Sequence, residues 1–188
     1  MIQSVRSTVA MVAIGLAVVV ACGGPDAPSH AALDVPIGPA NASDRDAGFQ
    51  LSLSMPGLTF PASEPITGEA VLTTLDGSGA DIAGSGGGVI GFSFSEIGGT
   101  RSMGVAMTSD CSPHTIPAGG GLRTSLRPSG GWSEDDPNAA FYRAFAQGSD
   151  VRLPAGAWRI TAHAVFAGAG CTQPEHTLEA STVVVVTP

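Results

Sequence analysis

Hydrophobic and polar residues alternate with a period of two along most of the chain that follows residue 48. In residues 49–55, a phenylalanine, two leucines and a methionine alternate with one glutamine and two serines. This alternation is typical of a strand with one buried and one wet face. Further stretches have strand character and are separated by turn residues: 66–75, 89–95, 101–107, 122–126, 150–153, 158–166 and 178–187. The pattern therefore predicts seven or eight short strands.

One segment predicts a helix instead of a strand. Asp136-Pro137 precedes residues 138–147, and a proline directly after an aspartate cap is a common helix start. Phe141 and Phe145 lie four residues apart in this segment, so a helix would place both rings on one face. We expect at most this one short helix in the chain.

Many short strands joined by turns predict an all-β fold, an antiparallel β-sandwich. The 26 glycines and 14 prolines also favour short strands over long helices. The order of elements over residues 48–188 resembles immunoglobulin-like and fibronectin type III modules, although the Cys-Trp-Cys spacing of antibody domains is missing. The resemblance implies an immunoglobulin-like sandwich. Its clearest inward-facing row is predicted in one strand: Trp158, Ile160, Ala162, Ala164 and Phe166.

The first residues predict an export signal. Arg6 precedes an apolar run, residues 9–20, that is shorter than the roughly 20 residues of a membrane-spanning helix. Val19-Val20-Ala21-Cys22 resembles the lipobox of bacterial lipoproteins. The resemblance implies cleavage before Cys22, diacylation of its thiol with chains such as palmitate, and acylation of its new amino group. It also implies a location on a bacterial membrane, facing the periplasm or the cell exterior.

This resemblance divides the chain into three parts: a signal peptide (1–21), a lipidated flexible linker (22–47) and the sandwich (48–188). The linker assignment depends on four prolines and the absence of a periodic apolar face. A coil of this length has an r.m.s. reach of roughly 30 Å, enough to hold a small domain away from lipid headgroups.

If Cys22 carries lipid, Cys111 and Cys171 form an even pair in an oxidising compartment, which predicts a disulfide. The strand pattern agrees with this pairing. If residues 89–95 pair antiparallel with both 101–107 and 158–166, the two outer strands run in the same direction. The cysteines that follow them would then lie at one pole of the sandwich, about two strand spacings or 9–10 Å apart.

The charge of the chain excludes one class of partner. Eight arginines and no lysine stand against 16 acidic residues, and removing residues 1–21 leaves seven arginines and a formal charge of −9. Such a surface is repelled by phosphate backbones, so we expect no nucleic-acid partner. It also lacks a basic patch for anionic lipids, so the membrane would be held through the acyl chains alone.

Two histidines near the paired cysteines suggest a metal site. His114 follows Cys111 by three residues and His176 follows Cys171 by five. With reduced thiols the four side chains could bind zinc, and beside a disulfide the two imidazoles could bind copper or zinc. The alternative is two solvent-facing histidines in loops next to a structural disulfide.

The segment around Trp132 is a second candidate surface. Glu134, Asp135 and Asp136 follow the tryptophan and offer the hard oxygen ligands that calcium prefers. The segment lacks the alternating oxygen spacing of a calcium loop, and a solvated turn with a helix cap accounts for it equally well. Trp132 could be exposed as a binding residue or could cover one end of the sandwich.

No motif in the chain indicates an enzyme. Gly-x-Ser-x-Gly and His-Glu-x-x-His do not occur, and His163 is predicted on the outer face of its strand. We therefore expect a non-catalytic binding or structural module without a cofactor, with an envelope protein or glycan as its partner. A metal-handling lipoprotein using His114 and His176, and an extracytoplasmic enzyme with a dispersed site, remain the alternatives.

Overall fold

The structure is a computed structural model that describes Gly38, residues 40–171 and residues 176–188. The chain divides into two compact units, Met1–Leu33 and Asp34–Pro188, and the described residues all belong to the second. The predicted signal peptide and Cys22 lie outside the described residues, as does most of the predicted linker.

The second unit is built almost entirely from strands. They are β1 (Asn41–Asp46), β2 (Phe49–Ser54), β3 (Thr59–Pro61), β4 (Glu69–Thr74), β5 (Ala80–Gly84), β6 (Ile90–Glu96), β7 (Ser102–Met103), β8 (Ser112–Ile116), β9 (Leu122–Ser125), β10 (Gly156–Gly168) and β11 (His176–Thr187). Among the described residues one helix, α1 (Ala139–Gln147), interrupts these strands. The predicted all-β fold with a single short helix is confirmed.

The strands form two sheets. The smaller sheet has the order β1-β2-β4-β9, and every neighbouring pair in it is antiparallel. The larger sheet has the order β3-β11-β10-β5-β8. Its long strand β10 pairs with β6 through its first part and with β5 through its last residues, and β7 pairs with the outer edge of β6. The short β3 runs parallel to β11, so the larger sheet is mixed and not wholly antiparallel as predicted.

The core lies between the inner faces of these sheets. The predicted row on β10 is confirmed, since its five side chains are at most 1% exposed. Leu51, Leu53 and Leu72 face them from the smaller sheet and are fully buried. The α1 residues Tyr142 and Phe145 close one side of this core. The β-sandwich is thus confirmed, while its immunoglobulin-like character stays a prediction.

The boundary between linker and domain lies earlier than predicted. Residues 41–46, assigned above to the linker, form β1 and pair with β2 from Asn41↔Ser54 to Asp46↔Phe49. The sequence of β1 has no apolar row, because Ala42 is its only hydrophobic residue. Backbone hydrogen bonds and not hydrophobic burial hold this strand, so the period-two pattern could not find it.

Five other segments also differ from the predictions. Strands β3, β5 and β8 were not predicted. Residues 101–107 form only the two-residue β7, in which Met103 is buried. The predicted strand 150–153 contributes a single bridge, Ile66↔Val151.

Candidate functional site

The pole of the sandwich near the cysteines is held together as predicted. Cys111 and Cys171 form a disulfide with a Cα–Cα distance of 5.9 Å. The strand argument behind this prediction is confirmed in part, because β6 pairs antiparallel with both β7 and β10, although β7 covers only two of the residues 101–107. The chain then reaches Cys111 just before β8 and Cys171 soon after β10 ends.

A shallow pocket of about 220 Å³ lies beside this disulfide, and Met107, Val165 and Phe166 contribute to its wall. Its polar groups already bind one another. The hydroxyls of Ser85 and Thr108 lie 2.7 Å apart. The Thr108 hydroxyl, followed by the Gly86 N–H, holds the pKa of the Asp110 carboxyl below its ordinary value. The pocket could therefore receive a small apolar group, but its polar side chains are engaged within the protein.

The two histidines of the predicted metal site have separate partners. His114 lies in β8, where its Nε2 donates to the Ser85 carbonyl at 2.9 Å. His176 begins β11, and its Nδ1 donates to Asp46 Oδ2 at 3.1 Å. The His176 ring also stacks on Phe166, with ring centroids 4.9 Å apart. Both histidines lie in strands and not in the loops expected from the sequence.

The pairing register separates these histidines. His176 lies opposite Phe166, Phe166 opposite Gly84, and Gly84 opposite Ser112. Three strand spacings thus separate His176 from the start of β8, which is about 14 Å. The structure does not bring the imidazoles together, because β10 and the unpredicted β5 lie between their strands, and the disulfide occupies both thiols. Among the described residues, no group of three or more His, Cys, Asp or Glu residues could hold a metal ion.

The segment around Trp132 forms a turn whose polar groups bind within it or to α1. The Trp132 ring is partly buried against the core, 6.5 Å from the ring of Tyr142. Glu134 forms an ion pair with Arg143 of α1. Asp136 Oδ1 accepts the Asn138 N–H at 2.7 Å, directly before the helix begins. The tryptophan thus covers part of the core, whereas the predicted aspartate cap is wrong, because Asn138 is the N-cap residue of α1 and no side chain makes a capping hydrogen bond there. Asp135 stays exposed at the tip of the turn.

A further cluster, which the sequence did not indicate, lies on the outer face of the larger sheet. Ser93 of β6, His163 of β10 and Glu179 of β11 form a continuous hydrogen-bond chain. Ser93 Oγ lies 2.7 Å from His163 Nε2, and His163 Nδ1 lies 3.1 Å from Glu179 Oε1. We call these three side chains the serine–histidine–glutamate cluster. It has the order of partners found in acyl-transfer sites: a hydroxyl, an imidazole and a carboxylate.

The strand register explains how these residues meet. His163 pairs with Glu179 on one side and with Gly91 on the other. Ser93, two residues after Gly91, is therefore diagonal to His163 on the same face, within reach of its ring. The sequence predicted that β6 and β10 pair and that His163 faces outward. It carried no signal for the register, which decides whether Ser93 and His163 touch.

Comparison of the chain with protein-family models, curated proteins and solved structures found no match. The described part of the chain contains no helix long and apolar enough to cross a membrane. The arguments about function therefore depend on the residues and on the geometry described above.

Proposed function

We propose that this chain is a bacterial lipoprotein, anchored to a membrane through Cys22, whose β-sandwich serves as a binding or structural module facing the periplasm or cell exterior. The observation that carries this proposal is the lipobox-like Val19–Cys22 directly after a short apolar run. The disulfide between Cys111 and Cys171 supports it, because disulfides persist mainly in oxidising compartments.

The start of the sandwich also agrees with a tethered domain. Strand β1 begins at Asn41, 19 residues after the proposed site of acylation. Nineteen residues span at most about 65 Å, which would let the sandwich stand clear of the lipid headgroups while it stays tethered to the membrane. Its acidic charge favours anchoring by acyl chains over attraction to anionic headgroups.

The partner we propose is an envelope protein or a glycan and not a nucleic acid. Two surfaces are the first to test: the turn from Trp132 to Asp136 and the pocket beside Cys111. Loops on a rigid sandwich often carry recognition. Asp135 at the tip of the turn and the apolar wall of the pocket are the parts that stay accessible.

The anchor can be tested with the variants Cys22→Ser and Gly24→Ala, expressed as full chains in a bacterial host with an alkyne analogue of palmitate. We expect the wild type and Gly24→Ala to take up the label and to yield a mature N-terminal peptide that begins at an acylated Cys22. Cys22→Ser should take up no label, because a hydroxyl is not the thiol that receives the diacylglyceryl group. A wild-type mature chain that retains residues 1–21, or that carries no acyl mass, would contradict the proposal.

One of the alternatives gains support from a specific observation. An extracytoplasmic enzyme with a dispersed site requires a nucleophile, a base and an orienting group brought together by the fold. The serine–histidine–glutamate cluster supplies these three groups.

A further inference from the structure

We propose that Ser93, His163 and Glu179 form a nucleophilic site that accepts the acyl group of small carboxylic esters. Both hydrogen bonds of the cluster, 2.7 Å and 3.1 Å, fall within the range of a serine activated by an oriented histidine. The inference goes beyond the binding role proposed above and revises the expectation that the chain is not an enzyme. It depends on residues of the sandwich and not on the lipid anchor.

The partners of His163 select the reactive tautomer. The Glu179 carboxylate accepts hydrogen bonds, so in the neutral ring Nδ1 carries the hydrogen and donates to it. Nε2 is then left with a lone pair that accepts the Ser93 hydroxyl hydrogen. His163 can therefore act as a general base toward Ser93. Glu179 is a positioning residue, because it holds the ring in this tautomer and stabilises the imidazolium that forms.

The three side chains stand on a rigid platform. They come from three neighbouring strands, and the residues beside them in sequence point into the core. Those inward neighbours are at most 1% exposed: Phe92, Phe94, Ala162, Ala164, Leu178 and Ala180. Sites on packed strands hold their geometry better than sites on loops, so the hydrogen-bond chain should persist in solution.

A small substrate can reach the cluster from the solvent side. The side chains of His163 and Glu179 are 15% and 58% exposed, and Ser93 is partly exposed. The position opposite His163 is occupied by Gly91, which is buried, so solvent reaches the cluster from the side of Ser93 and Glu179 and not past Gly91. Val105 and Met107 lie over Gly91, where an added Cβ would overlap Val105.

The surface position of the cluster limits the class of substrate. The cavity of about 90 Å³ further along β6 is lined in part by Gly91, Met107 and Ser129, and none of Ser93, His163 and Glu179 contributes to its wall. The acyl group would therefore be bound at the sheet surface and not in a cavity. Small esters such as acetates, which need few contacts beyond the reacting carbonyl, suit such a site best.

The reaction balances without a cofactor. Ser93 Oγ attacks the carbonyl carbon while His163 Nε2 takes the hydroxyl proton, which gives a tetrahedral oxyanion. The ester C–O bond then breaks, and the leaving alcohol takes the proton from His163. Attack by water on the acyl-serine, again with His163 as the base, releases the carboxylic acid and restores Ser93. The sum is ester and water to acid and alcohol.

We infer that Thr161 donates to the oxyanion, because the register places its hydroxyl beside Ser93. It lies directly opposite Ser93, and its hydroxyl is 2.7 Å from Ser181 Oγ. A single hydroxyl stabilises an oxyanion less than a pair of backbone N–H groups does. We therefore expect acylation to be detectable but turnover to be slow.

The experiment treats the purified full chain with diisopropyl fluorophosphate and, separately, with p-nitrophenyl acetate. With the fluorophosphate, Ser93 Oγ would bond to phosphorus, fluoride would leave, and the hydroxyl proton would go to His163. Intact mass and peptide mapping should show one adduct, on Ser93. The matched control is Ser95→Ala, which removes the next outward hydroxyl of β6, whose partner is Ser102 and not a histidine.

We expect Ser95→Ala to be labelled at the wild-type rate and Ser93→Ala to lose the label. His163→Gln keeps a hydrogen-bonding side chain but no base, so its labelling should fall by about 100-fold or more. An unlabelled Ser93 in the folded wild type would overturn the proposal, as would equal labelling of wild type and His163→Gln. Circular dichroism spectra and thermal unfolding of each variant establish that loss of label is not loss of fold.

The positioning role of Glu179 has its own readout. Glu179→Ala should slow the labelling of Ser93, and Glu179→Gln should recover part of the rate because its amide oxygen still accepts from Nδ1–H. Equal rates in the two variants would refute this role. Failure of labelling throughout would leave the lipoprotein proposal intact, since the Cys22 experiment measures acylation of a different residue.

Discussion

At the scale of single residues, Arg101 is the most fully engaged cation of the described residues. Its guanidinium donates to both carboxylate oxygens of Glu96, at 2.8 and 2.5 Å. It also lies 5.4 Å from the Phe141 ring centroid and 5.3 Å from that of Trp158. The side chains of Arg101 and Glu96 are only 25% and 14% exposed. Such a bidentate, poorly solvated ion pair contributes more to the free energy of unfolding than an exposed ion pair does.

From the Arg101–Glu96 ion pair we predict how the stability of the domain depends on pH. Glu96→Gln should lower the free energy of unfolding at pH 7 by about 1–2 kcal/mol, whereas Glu69→Gln, in an exposed pair with Arg123, should change it by less than about 0.5 kcal/mol. The hydrogen bond from Arg101 holds the pKa of the Glu96 carboxyl below its ordinary value. The stabilisation is therefore complete above about pH 4.5 and is lost as the pH falls through the lowered folded-state pKa.

Urea unfolding of the wild type and both variants between pH 2 and 7 checks this prediction. The difference between the wild type and Glu96→Gln should vanish at the acid end, where the wild-type carboxyl is also protonated. A difference that is unchanged at pH 2 would indicate that packing, and not the charge of Glu96, is responsible.

At the scale of elements, the disulfide joins the end of β10 to the start of β8 across a sequence separation of 60 residues. Closing a loop of this length removes conformational entropy from the unfolded chain, worth about 4 kcal/mol in the entropy model. We expect the double variant Cys111→Ser with Cys171→Ser to lose about 2–4 kcal/mol of unfolding free energy.

Urea unfolding with and without reductant measures this loss, and reduced wild type should unfold like the double variant. The double variant should keep a near-native circular dichroism spectrum, because the core row of β10 does not include either cysteine. Equal stability of the oxidised and reduced wild type would contradict the prediction.

The strand β1 connects the two sheets at one edge. It pairs with β2 over six residues, and Asp44 Oδ2 accepts the Glu179 N–H of β11 at 2.9 Å. A soluble chain that begins at residue 48 should therefore lose at least about 2 kcal/mol, at roughly 1 kcal/mol for each backbone hydrogen bond. The control begins at Asp34, where the compact unit starts. Thermal unfolding of the two chains checks the difference, and equal melting temperatures would show that β1 adds nothing.

At the scale of the whole molecule, the sequence predicted those parts of the fold that bury an apolar row. Strands β2, β6, β10 and β11 and helix α1 were found because alternate or fourth residues are large and hydrophobic. Strands β1 and β8 carry few such side chains, and Pro113 interrupts the pattern of β8. They are edge strands held by backbone pairing with distant segments, and single-segment periodicity contains no information about that pairing.

The candidate functional residues also differ in how far the sequence predicted their positions. The disulfide could be predicted, because it needs only the direction of three strands and the positions of Cys111 and Cys171. The serine–histidine–glutamate cluster could not, because a shift of one residue in the β6–β10 register would turn Ser93 to the other face. The prediction that His114 and His176 lie close enough to share a metal ion is wrong for a related reason. The insertion of β5 next to β10 moved His114 away from His176, and β5 has too weak a pattern to be anticipated.

The position of β1 at the N-terminal entrance to the sandwich has a mechanical consequence. If the chain is tethered through Cys22, any tension between membrane and partner enters the domain at Asn41 and runs along β1. A pull along the axis of β1 would load its six register pairs with β2 in shear, so that the pairs share the force. Strand β1, which the hydrophobic pattern assigned to the linker, would thus help the sandwich to resist mechanical unfolding.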